Sequence, residues 1–187
     1  MDPFSYLSVL LSIILGLAIT QILLGVRGMV LSRTRVVTYW PALVLAGLLF
    51  LMAVQSWWAM FGLREVQVWT FPMFAIVLLQ TTALYMLTAL VLPEFFGEHV
   101  IDLRAHYFAH RVLFFSLLAA TLLISLAKDV VISGHMTNNV NLGFHLGFIA
   151  ATLGAVVTTR EWYHKLLCVL SALAFVAYIA LLFARLQ

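Results

Sequence analysis

The chain alternates long apolar runs with short polar interruptions, and the spacing of those interruptions predicts its elements. A helix needs about 20 apolar residues to cross the hydrocarbon core of a bilayer. Residues 4–26 meet that length without a charge, and Pro3 suits the first turn of a helix. The second run, 39–63, opens on Tyr39-Trp40-Pro41 and closes after Trp57-Trp58, and Arg64-Glu65 marks a tight turn. The third, 69–92, is stopped by Pro93. A polar island follows from Glu94 to Arg111 and holds three of the six histidines. The fourth run, 111–132, carries Lys128 and Asp129 before its end, and its helix can begin as early as Asp102, a good N-cap residue. Ser133-Gly134-His135 through Asn138-Asn139 reads as a loop, followed by runs at 141–159 and 164–185.

The reading is an all-α polytopic integral membrane protein: one transmembrane domain over 1–187, a bundle of six helices, and an amphipathic polar connector between the third and fourth. Composition supports it. Of the 187 residues 65% are hydrophobic and 9% charged, with a mean hydropathy of +1.12. Soluble domains are roughly a quarter charged, so a particle this poor in charge has lipid as its solvent. The first run lacks a basic leader and a small-residue cleavage pattern, so it reads as a span and not as a removed signal.

Charge then orients the bundle. Arg27, Arg33, Arg35, Arg104, Arg111, Arg160 and Lys165 fall in or beside the loops after odd-numbered spans, against Arg64, Lys128 and Arg185 on the other side. Seven against three puts the basic loops in the cytoplasm and both termini outside. The overall look is that of a small bacterial inner (cytoplasmic) membrane protein with both termini on the periplasmic side. The net charge of +3 follows from this asymmetry, and no basic cluster with interleaved aromatics points to nucleic acid. The single cysteine, Cys168, has no partner for an internal disulfide.

Small residues mark helix contacts in lipid. Gly143, Gly147, Ala151 and Ala155 form such a stripe on the fifth run, and Ser8, Ser12, Gly16 and Thr20 on the first. They fit packing within the monomer, a homo-oligomer or a partner membrane protein.

Two sets of residues could carry chemistry. The first comprises polar groups inside the spans: Gln55, Gln80, Thr81, Thr82, Asp129 and His145. A buried amide needs a partner, so these either clasp helices together or line a path for a small polar solute. His145, one turn into the fifth helix, is placed to bond Asp129. The second set is histidine-rich. His106 and His110 are one helical turn apart, a spacing that can chelate a metal, with His99, Asp102 and His164 on the same side of the membrane. Zinc or iron suits that donor set. The residues between the two histidines, Tyr107, Phe108 and Ala109, lack a zincin's glutamate, so an interfacial connector is the preferred reading and no cofactor is expected.

No phosphate loop, dinucleotide fingerprint or nucleophile elbow occurs. The functional expectation is therefore a non-enzymatic transport or conduction module, or an accessory subunit acting through its helix faces. The alternative is a membrane-embedded metalloprotein or enzyme with a histidine site at the cytoplasmic interface.

Overall fold

Six helices long and apolar enough to cross a membrane make up the computed structural model, which describes residues 3–94, 100–134 and 138–182. They are α1 (Pro3–Leu31), α2 (Trp40–Ala59), α3 (Phe71–Val91), α4 (Leu103–Ser133), α5 (Asn139–Val157) and α6 (Glu161–Leu182). Their ends follow from local chemistry. Pro41 and Pro72 sit in the first turns of α2 and α3, where a missing N–H costs nothing. Leu92 is extended just before Pro93, which closes α3. The Asp102 carboxylate accepts the backbone N–H groups of Arg104 (2.7 Å) and Ala105 (3.1 Å), so α4 does begin at the expected cap. Its other end is Gly134, left-handed at φ 71°, whose N–H reaches the Val130 carbonyl. Asn138 caps α5 in the same way as Asp102 caps α4.

The helices run alternately up and down, so each loop joins neighbouring ends. Around the bundle the packing order is α1, α3, α4, α5, α6, α2, with α2 returning to α1. α2 also presses inward against α3 and α4. It does so with small residues, Ala42, Ala46 and Ala53, interspersed with Leu45 and Leu49, all buried. Two residues of the first loop, β1 (Val36–Val37), pair in parallel with β2 (Ile101–Asp102) ahead of α4. The polar connector is thereby pinned to the α1–α2 loop. This strand end of the bundle carries Arg33, Arg35, Arg104, Arg160 and Lys165.

The small-residue stripe of α1 does not make its contacts. Its buried face is Leu11, Leu15, Ala18 and Ile22, while Gly16 and Thr20 are exposed. Interdigitated leucines supply more dispersion area there than a flat stripe would. On α5, Ala155 is fully buried but Gly143 and Gly147 face outward. The outer surface exposes many aliphatic side chains, including Val9, Ile13 and Leu17 on α1 and Val169, Leu173 and Val176 on α6.

Candidate functional site

The helix order brings five of the six polar span residues to one place. Gln55 from α2, Gln80 and Thr81 from α3, Asp129 from α4 and His145 from α5 line a chamber of about 240 Å³, together with Lys128, Ser125, Asn141 and Tyr178. Thr82 does not join them: it lies on the outward face of α3 and donates to the Leu78 carbonyl within its own helix. A second chamber of about 110 Å³ continues from the first toward the strand end. Its walls are Leu45, Leu49, Phe114, Phe115, Leu118, Phe148 and Phe175. The two share Met52, Gln55, Ser56, Gln80, Ser125, His145 and Tyr178, so these residues form a collar between a polar end and an apolar end. Either volume is well above the roughly 15 Å³ that one water needs.

Hydrogen bonds fix the imidazole in this collar. His145 Nδ1 lies 3.0 Å from the Asn141 carbonyl, which can only accept, so Nδ1 carries the proton. Nε2 is then the acceptor and takes the Ser125 hydroxyl at 3.2 Å. His145 is 5% exposed and both of its nitrogens are satisfied. Its tie to Asp129 is indirect, unlike the contact expected from sequence: the Asn141 amide donates to Asp129 Oδ2 at 3.3 Å, and the Asn141 carbonyl holds His145. Lys128 Nζ sits 4.0 Å from Asp129 Oδ1, so one positive and one negative charge share the chamber wall. Gln55 and Gln80 differ from all of these. Both amides line the chambers, and neither has a hydrogen-bond partner among the described residues.

The histidine set separates. His106 and His110 share a face of α4, with ring centroids 4.4 Å apart. His106 Nε2 donates to the Leu90 carbonyl at 3.1 Å, and His110 Nδ1 to the His106 carbonyl at 3.0 Å. His164 lies elsewhere, fully buried, its Nε2 donating to the Thr158 carbonyl (3.0 Å) and its Nδ1 accepting the Tyr107 hydroxyl (2.9 Å). The Asp102 carboxylate serves as the α4 cap. His99 lies outside the described residues. Among those described, no three His, Cys, Asp or Glu side chains gather at metal-binding distance.

Sequence reasoning missed the Tyr107–His164 link, which joins α4 to α6 across 57 residues. It is surrounded by aromatic rings, with Tyr39 edge-on to Tyr107 at 5.3 Å and Phe115 5.6 Å from His164. The Tyr39 hydroxyl is buried and has no hydrogen-bond partner among the described residues. No signal in the sequence distinguishes these two tyrosines. Comparison with protein-family models, curated proteins and solved structures found no match to this chain.

Proposed function

We propose that this chain is a polytopic integral membrane protein whose central cavity binds and passes a small, uncharged, hydrogen-bonding solute. The six apolar helices and their exposed hydrophobic side chains support the membrane assignment. The arginine-rich strand end supports a cytoplasmic placement of that end, with the Lys128–Asp129 chamber toward the outside.

One observation carries the functional reading. Gln55 and Gln80 present amides to the collar with no hydrogen-bond partner among the described residues. Both side chains are half-buried and border open cavity, where a polar amide is left for a ligand or water to satisfy. Two such groups converging from α2 and α3, beside a third polar wall at His145 and Ser125, make a site for a ligand or water chain. A structural clasp would have the two amides bonded to protein. The Lys128–Asp129 pair compensates its own charge, which favours a neutral solute.

Stopped-flow light scattering on proteoliposomes, with glycerol, urea and formamide as osmolytes, tests this. Permeability above that of empty liposomes is expected for at least one of the three, and Gln80→Leu and His145→Phe should lower it severalfold. Flux unchanged by both substitutions, or no flux above empty liposomes, would remove the transport assignment.

A further inference from the structure

The apolar chamber shares a wall with the outer surface of the bundle. A groove of about 560 Å³ runs down the outer surface between α5 and α6, and Phe144, Phe148, Leu167 and Ser171 wall both it and the apolar chamber. Gly143 and Gly147 line the groove, and a Cβ added at either would meet nothing within 4 Å. From Asn139 to Ala151 its α5 wall covers about 18 Å of helix at 1.5 Å per residue, over half of the hydrocarbon thickness. Toward the strand end α5 and α6 are locked together: the Tyr163 hydroxyl donates to the Ala151 carbonyl at 2.8 Å. The groove is open, while the contact beneath it is closed.

We infer that the cavity is entered sideways from the bilayer through this groove, and that its ligand is an uncharged single-chain amphiphile with a hydroxyl, amide or carbonyl head. The inference rests on the reading of the collar as a binding site. The head bonds Gln55 and Gln80, while the chain lies across the Phe144–Phe148 wall into the α5–α6 groove. The shared phenylalanine wall favours this ligand over a purely aqueous one. A solute that only hydrogen-bonds would use the polar collar, and it gives the phenylalanine-lined chamber and the groove on the other side of that wall no contact to make. A charged head would have to find a counter-ion in a wall whose lysine and aspartate already face each other.

The test uses the full chain in proteoliposomes with a diazirine-bearing monoacylglycerol, cross-linked by light and mapped by peptide mass spectrometry. Labelling is expected on peptides from α5 and α6, competed by excess monolauroylglycerol but not by excess phosphatidylcholine. Gln80→Leu should reduce it severalfold, and so should Gly143→Leu with Gly147→Leu. The glycine positions have open space, so that double variant should fold, which an unchanged Tm in detergent checks. Labelling that phosphatidylcholine competes as well as monolauroylglycerol does would show ordinary boundary lipid and overturn the inference. So would labelling indifferent to the two leucines, or dodecanoate competing as well as the neutral lipid. In each of those cases glycerol flux sensitive to Gln80→Leu would leave the polar-cavity reading standing. Loss of both signals would overturn the two together.

Discussion

Two tyrosines in edge contact offer a direct test of which buried hydroxyl holds the bundle together. Tyr107 donates to His164 at 2.9 Å, whereas Tyr39, its ring 5.3 Å away, has a buried hydroxyl with no partner among the described residues. Tyr→Phe removes one oxygen at each position and keeps the ring, so the aromatic contacts survive in both variants. In Tyr107→Phe the Nδ1 lone pair of a fully buried His164 loses its donor. Stranding a buried acceptor costs about 1–3 kcal/mol, and inter-helical hydrogen bonds in membranes average about 0.6 kcal/mol with a maximum near 1.7. A loss of about 1–2 kcal/mol is expected. Tyr39→Phe removes a polar atom that gains nothing from folding, so its effect should lie within about 0.5 kcal/mol of zero or be stabilising. For a chain of this size 1 kcal/mol corresponds to roughly 2–4 °C in Tm. Thermal unfolding of the two variants in one mild detergent therefore separates them. His164→Phe should cost more than either, because it strands the Tyr107 hydroxyl and the Thr158 carbonyl at once. Equal losses from Tyr39→Phe and Tyr107→Phe, or no loss from the latter, would refute the hydrogen-bond reasoning.

Glycines on α5 should respond in opposite directions. A Cβ on Gly154 would collide with the Tyr163 phenol, so Gly154→Ala should cost about 1–3 kcal/mol by overpacking, while Gly147→Ala should be neutral or gain helix propensity; Tm series in detergent compare them. Asp102→Ala removes both cap bonds of α4 and should cost about 1 kcal/mol, with Asp102→Asn largely restoring it in the same assay. Orientation is testable because native Cys168 is fully buried and silent. In spheroplasts a membrane-impermeant maleimide should label Glu65→Cys and spare Arg160→Cys until the cells are opened; the reverse pattern would invert the topology.

Sequence alone determined where the helices lie and how they begin. Each apolar run satisfies its own backbone hydrogen bonds within one segment, so run length, Pro41, Pro72 and Pro93, and the cap at Asp102 are decided locally; Asn138, read as loop, is the cap of an α5 that starts two residues earlier than its apolar run. Which way each helix turns is decided elsewhere. A helix in water has one apolar face and reveals its inside by period; here both faces are apolar, and the period is nearly silent. Gly16 and Thr20 of α1 were therefore legible as small residues but not as outward ones, and Thr82 could not be told from Thr81. The gathering of Gln55, Gln80, Asp129 and His145 depends on α2 pressing inward between α6 and α3. The Tyr107–His164 bond likewise depends on α4 and α6 meeting across α2's end. Both arise from packing among helices distant in sequence, which in the proposed lipid setting leaves shape and hydrogen bonding to select partners.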